Sequence, residues 1–356
     1  MTLEHLAGRL TLTLTHDGAA VTHCHSEFSR PPLAARLLTG AAPADAAARL
    51  APLFAVCRRA HALAADLAAQ ALHGPAAPRP EALAELEAEA RQDILRRVAL
   101  DWPLACGDSP DADFVAAVRA QPAALGQALQ DYVLGEPCAD WLARGYHGWL
   151  AWARQRHTQY AWRLADLMAE SCGGMPLLSF PSEGELAALG RELVDDDQFA
   201  QTPSWVGSPV ETGPLARQAN WVASLFAAEY WPAARMLARL IELVRLSQGS
   251  AGYQARAVAL DPQRAVAAVD TARGLLLHAV AVDAHGQVAD WRILPPTAWN
   301  FHPEGAWAAA LEAGAHVFVE KPLAQTVADA RAVTEEAARL GRVLMCGHLM
   351  VFHPAF

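Results

Sequence analysis

No run of about eighteen apolar residues free of charges or turn signals occurs in the 356 residues, which excludes a long apolar membrane-spanning helix. The opening stretch, MTLEHLAGRLTLTLTHDG, has no basic segment followed by an apolar one, so no secretory leader is read there and the chain is expected in the cytoplasm. The six cysteines (Cys24, Cys57, Cys106, Cys138, Cys172 and Cys346) form no CxxC pair and no regular framework, so disulfides are not expected to staple the fold. Basic excess is lacking too. The net charge is -10, spread over scattered carboxylates, which argues against a nucleic-acid or anionic-membrane surface and leaves small molecules and proteins as partners. There is no internal repeat, and no GxGxxG turn that would let backbone approach a dinucleotide pyrophosphate.

What is present is apolar material for a large core, 53% of the residues, much of it alanine and leucine at helical spacing. The start alternates from Leu10 to Leu14, turns at His16-Asp17-Gly18 and runs out from Val21 to Phe28, the pattern of a hairpin. From Pro43 onward amphipathic helices follow, broken near Pro75 to Pro80, at Trp102-Pro103 and at Pro122. Trp141, Trp149, Trp152, Trp162, Tyr146 and Tyr160 crowd one helical segment and are expected to be core. A short helix is predicted over Ser182 to Leu193 and a long one over Val210 to Leu246. A second hairpin is predicted from Gly274 to Val282 and Val288 to Leu294, turning at Asp283 to Gly286. After Leu311 the pattern becomes strand (Ala315 to Glu320), helix (Thr326 to Leu340) and strand (Val343 to Cys346), a βαβ crossover. The fold class expected is therefore α+β, a mainly helical body with two β-hairpins and a C-terminal βαβ fragment of Rossmann type.

Three clusters invite a chemical reading. Cys57 and His61 stand one turn apart in a helical context, where a soft thiolate could hold a transition metal and the imidazole serve either as ligand or as donor to the sulfur. His23-Cys24-His25 puts two imidazoles on one face of a strand and the thiol on the other, which suits an exposed strand better than one metal. Asp195-Asp196-Asp197 lacks the glycine and distal glutamate of a calcium loop and reads as a solvated acidic turn.

The segment around Cys57 resembles the first metal-binding motif, CGxCxxxH, of nickel-iron hydrogenase large subunits. Three more stretches follow that family's order: Arg30-Pro31-Pro32-Leu33 with Gly40 resembles its RGxE segment, Val210 to Arg217 its EvGPLAR, and Ala272-Arg273-Gly274, His278 and Pro296-Thr297-Ala298-Trp299-Asn300 its late RG, H and PTTWN block. The resemblance implies a large-subunit-like fold over residues 1–311. It also implies roles: Cys57 at the position of a cysteine bridging to iron, and Arg273 and Thr297 where the family donates hydrogen bonds to cyanide on iron. Two departures matter. Phe54 stands where the nickel-side cysteine would be, and Leu33 replaces the acid of RGxE. A chain that keeps the iron-side residues and lacks the nickel ligand and the proton-passing acid is similar to the HupK/HoxV group of hydrogenase accessory proteins. That likeness implies a non-catalytic scaffold holding the Fe(CN)2CO fragment, with hydrogenase maturation proteins and the immature large subunit as partners. The alternative within the family is a large-subunit-like protein with residual metal binding.

From Glu312 the chain instead resembles Gfo/Idh/MocA oxidoreductases, through Ala313-Gly314-Ala315-His316-Val317, Glu320-Lys321-Pro322-Leu323-Ala324 and Gly347-His348. The closing DPC motif of the hydrogenase group is absent. Residues 312–356 are therefore expected to be a foreign fragment, joined between about Trp307 and Gly314. Without the glycine-rich turn, NAD(P) binding is not expected.

Overall fold

The computed structural model describes residues 10–16, 21–28, 32–54, 57–105, 108–169, 174–306, 308, 317–320, 335 and 344–347. The first predicted hairpin is present as β1 (Leu10–His16) and β2 (Val21–Phe28), antiparallel, with Leu14 opposite Cys24. His23 and His25 are exposed on it, the strand-surface role expected of them. A helical body follows, in which α1 (Arg58–Ala71) and α2 (Pro80–Arg96) are the elements nearest the candidate site. The aromatic segment is core for the most part: Trp141, Trp149 and Tyr160 are almost fully buried, and the Trp149 and Trp152 indoles donate to the carbonyls of Trp141 and Leu134 at 2.9 and 2.7 Å.

The short helix α3 (Glu183–Asp195) carries a capping box, Ser182 and Glu185 exchanging hydrogen bonds, which fixes its start. The long helix predicted over Val210 to Leu246 is instead broken into Pro214–Arg217, Ala219–Ala227 and α4 (Trp231–Ser247). The reason is local. Glu229 sits at φ 59° and Pro232 opens the next helix, so the chain re-aims between two apolar stretches of the same period.

The second hairpin is found over the predicted residues, as β5 (Gly274–Val282) and β6 (Val288–Leu294), but it belongs to a larger sheet. Together with β3 (Ala255–Asp261) and β4 (Arg264–Thr271) it forms an antiparallel meander in the order β3-β4-β5-β6. Both faces of this sheet are covered. Ala265, Ala267 and Val269 join the cluster containing α1, while Val266 and Ala268 join the cluster of Leu186, Leu189 and Leu193 from α3. The outer edge of β6 is closed by the loop after helix Leu33–Leu38, where Gly40 donates to the Val288 carbonyl at 2.8 Å and Val288 to that of Ala41 at 2.9 Å. Helix α5 (Pro296–Asn300) follows β6 and packs on β5. In the tail, β7 (Val317–Glu320) and β8 (Leu344–Gly347) pair in parallel, Val317 opposite Leu344. The helix predicted between them lies outside the described residues apart from Glu335, as do Arg30, Pro31, Lys321, Cys106 and Cys172.

Arg217, the last residue of the GPLAR stretch, is buried at the junction of these parts. Its guanidinium donates to Glu242 at 2.7 Å, Asp270 at 3.0 Å, the Thr271 carbonyl at 3.0 Å and the Tyr253 hydroxyl at 3.2 Å. Burial alone would discharge it, but Glu242, Tyr253 and Asp270 hold its pKa above the ordinary arginine value. Burial raises Asp270 in spite of Arg217. Next to this network Gly213, at φ +89°, would put a Cβ 3.0 Å from the Cα of Gly274, so the two glycines let the GPLAR turn and the β4–β5 turn cross in contact. Replacing Arg217 by Met leaves two buried carboxylates without their cation. A loss of about 3–5 kcal/mol of stability is expected in urea unfolding, against a small effect for Arg264→Met in an exposed pair.

Candidate metal-fragment site

Cys57 is the residue before α1, in a non-helical conformation (φ -117°, ψ 41°), so the thiol stands at the helix start rather than within it; its carbonyl still accepts from His61 N at 3.0 Å, keeping the pair one turn apart. The side chain is partly buried against the large core cluster. Burial pushes the Cys57 thiol up to about 11; Arg273 pulls in the other direction, while Glu89 and Asp93 add to the rise. A thiol at a helix N-terminus is normally acidified by the exposed amides. Here Glu89 of α2 takes two of them, accepting from Arg59 N at 2.8 Å and Ala60 N at 3.1 Å. Cys57 is consequently a protonated thiol at neutral pH.

His61 is 4% exposed and Phe54 stacks on it, ring centroids 3.4 Å apart and planes nearly parallel. The Phe54 phenyl ring thus packs on the neighbouring imidazole. His61 Nδ1 lies 2.9 Å from Nε2 of His278 on β5, and Trp291 of β6 donates its indole N–H to His278 Nδ1 at 3.3 Å. Burial first, and His61 beside it, hold the His278 imidazole well below the usual histidine range.

Arg273 sits in the tight turn between β4 and β5. Thr271 Oγ1 accepts from Arg273 N and donates to the Gly274 carbonyl, and Asn300 of α5 donates to the Arg273 carbonyl at 2.9 Å. Its guanidinium forks onto Asp93 of α2, at 3.0 and 3.2 Å. Asp93 is 8% exposed; burial would raise its carboxyl, and the Arg273 hydrogen bonds outweigh that and hold it below the ordinary range. Thr297, one residue into α5, has a buried hydroxyl oxygen with no hydrogen-bond partner among the described residues. Cys57 and His61 thus lie at the start of α1, α2 reaches from there to Arg273 through Glu89 and Asp93, and Asn300, on the helix that carries Thr297, donates to the Arg273 turn. Glu89, Asp93 and His278 were not assigned roles by sequence reasoning. Glu89 and Asp93 stand four apart on an amphipathic helix, a spacing that reads as a solvated face.

Other sequence candidates fall elsewhere. Asp195 and Asp197 pair with Arg264 and Arg292 at 2.8 and 2.6 Å, and Asp196 caps Gln198 N, which accounts for the acidic turn. Among the described residues there is no group of three or more His, Cys, Asp or Glu placed to hold a metal ion, and no helix long and apolar enough to cross a membrane.

The family model described as an oxidoreductase family with an NAD-binding Rossmann fold matches residues 293–348. Over most of the chain the likeness is to hydrogenase proteins. In fold, the chain is similar to the large subunit of the Ni-Fe-Se hydrogenase of Desulfovibrio vulgaris Hildenborough, with a TM-score of 0.53 and 15% identity over 95% of this chain and 96% of that one. In sequence it is 30% identical to the hydrogenase expression/formation protein HupK of Bradyrhizobium diazoefficiens, over 83% of this chain and 84% of the relative. It is 31% identical to HupK of Azotobacter vinelandii, over 84% and 88%. With 36% identity to HoxV of Cupriavidus necator over 79% of its own length and 83% of the relative's, the chain belongs to the HoxV/HupK family of hydrogenase expression/formation proteins.

Proposed function

We propose that the chain is a non-catalytic scaffold in hydrogenase maturation, holding the Fe(CN)2CO fragment as cargo before transfer to the apo large subunit. Cys57 supplies the thiolate to iron, His61 stands beside it, and Arg273 and Thr297 donate hydrogen bonds to the cyanides. The observation that carries this reading is the packing of α2 between the two motifs: its Glu89 caps the start of α1 beside Cys57, and its Asp93, one turn on, holds the Arg273 guanidinium. The unsatisfied Thr297 hydroxyl supports it, since a buried donor without an acceptor is costly and a cyanide nitrogen is an acceptor. The sparse protein ligand set fits a metal that arrives with its own diatomic ligands. Nickel is not expected, because Phe54 occupies the position of its ligand. Working partners on this reading are other maturation proteins and the immature large subunit, met in the cytoplasm.

Iron uptake requires the Cys57 proton to leave. A thiol titrating near 11 is a weak ligand at neutral pH that strengthens as pH rises towards that value, so the rate of Cys57 alkylation by iodoacetamide, followed by peptide mass spectrometry, should climb steadily from neutral pH to about 11. A plateau near neutrality would contradict the buried-thiol assignment. In protein purified with its maturation partners, infrared spectra should show cyanide and carbonyl stretching bands that vanish in Cys57→Ala and weaken in Arg273→Met. Bands that survive Cys57→Ala remove the mechanism.

On the same reading, residues 1–311 are the hydrogenase-type body and 312–356 an appended oxidoreductase-type fragment. The match to the Rossmann family and the parallel β7–β8 pair favour a second reading, nicotinamide cofactor binding. The chain nevertheless lacks the GxGxxG turn that such a site requires. No quenching of NADH fluorescence is expected on titration with the protein; saturable quenching would reinstate the oxidoreductase reading.

A further inference from the structure

The buried pair His61–His278 carries information that its distances alone do not state. His278 is fully buried, and its two ring nitrogens face different partners: Nδ1 faces the Trp291 indole nitrogen at 3.3 Å, and Nε2 faces His61 Nδ1 at 2.9 Å. An indole N–H can only donate. His278 Nδ1 must therefore offer its lone pair, and the one proton of the neutral ring resides on Nε2. That proton points at His61, so His61 Nδ1 is the acceptor and the His61 proton resides on Nε2. The reverse arrangement, His61 Nδ1–H donating to His278, would leave two N–H groups of His278 and Trp291 confronting each other in a buried site, forfeiting one hydrogen bond and opposing two dipoles.

The backbone fixes this relay. His278 pairs with Ile293 across β5 and β6, which makes Trp291 its diagonal neighbour on the same face of the sheet. That face is the one covered by α1, from which His61 descends, and Phe54 holds the plane of the His61 ring by stacking.

We propose that Trp291 and His278 are positioning residues that lock His61 as the Nε2–H tautomer, which has no lone pair left for a metal. The proposal rests on the reading of Cys57 as the iron-holding thiolate. It chooses between the two roles the sequence allows for His61, a donor one helical turn from the thiol and not a nitrogen ligand. The His61 ring position outside the relay is then Nε2–H, which can only donate.

Long-range 1H–15N correlation spectra of the full-length, iron-free protein with 15N-labelled histidine test it, His61→Gln and His278→Gln supplying assignments. Expected are a single Nε2–H tautomer for both rings in the wild type, a mixed His61 population in Trp291→Phe, and restoration of the Nε2–H form in His278→Gln, whose amide N–H can still donate to His61 Nδ1. A wild-type His61 found as Nδ1–H, or a His61 population unmoved in Trp291→Phe, would overturn the proposal. Should Trp291→Phe not fold, the decision falls on the wild-type tautomer together with His278→Leu, which removes the donor and must release His61 from the single form. Because no iron is present, the outcome is separable from the infrared result: Nε2–H without cyanide bands sinks only the iron reading, and bands with an Nδ1–H His61 sink only this one.

Discussion

The buried Arg217 cluster is the constraint on which the rest of the molecule turns. One guanidinium joins the GPLAR helix to α4 through Glu242 and to the end of β4 through Asp270 and the Thr271 carbonyl. Thr271 in turn holds the backbone of Arg273, and Gly213 lies against Gly274. The Arg273 turn is therefore held by a network reaching back to three separate stretches of chain. Two carboxylates around one arginine, with a tyrosine hydroxyl donating to Glu242, is an arrangement that loses several kcal/mol if any member is removed and gains little from partial satisfaction. That makes it a device for holding a turn in one place.

How far the fold could be read in advance depended on what buries each element. The first hairpin and the pair β5–β6 were legible, because period-two alternation and a polar turn survive in sequence. Strands β3 and β4 were not. Residues 255–271 are rich in alanine and are covered on both faces, by α1 and by α3, so alternation disappears and a helix-favouring composition remains. Tertiary burial decides such a segment. The break between Ala219–Ala227 and α4 was hidden for the opposite reason: the apolar period runs on across it, although Glu229 at positive φ and Pro232 at the start of α4 mark the change of direction.

The site was legible to the extent that its residues sit in motifs. Cys57, His61, Arg273 and Thr297 all came from short patterns, and the first two stand at one helix start while Arg273 is held in the β4–β5 turn by Asp93 of α2. Glu89 and Asp93 belong to no pattern, since a carboxylate four residues from another on an amphipathic helix is ordinarily solvent-facing. Their roles appear only when α2 is laid beside α1 and the β4–β5 turn, where one caps α1 and the other anchors Arg273. The aromatic segment illustrates the reverse: abundant rings, and a role confined to packing.

These unpatterned residues also bear on what kind of hold the site can exert. A pair of thiolates in one motif binds as a chelate, the second sulfur acting at high effective concentration once the first is attached. On the scaffold reading Phe54 stands in the place of one sulfur and that gain is absent, while its ring stacks on His61. The remaining sulfur is raised to about 11 by burial, with the amides that would have acidified it already given to Glu89. Each of these features weakens attachment, and none weakens the positioning of Arg273, which Asp93, Thr271 and Asn300 hold independently of any metal. A site that is rigid in its hydrogen-bond donors and weak in its ligand recognises a group by the shape and charge of what that group carries. Such a site also releases it when a partner offers more sulfur, and on that physical ground the scaffold reading is preferred over a resident metal centre.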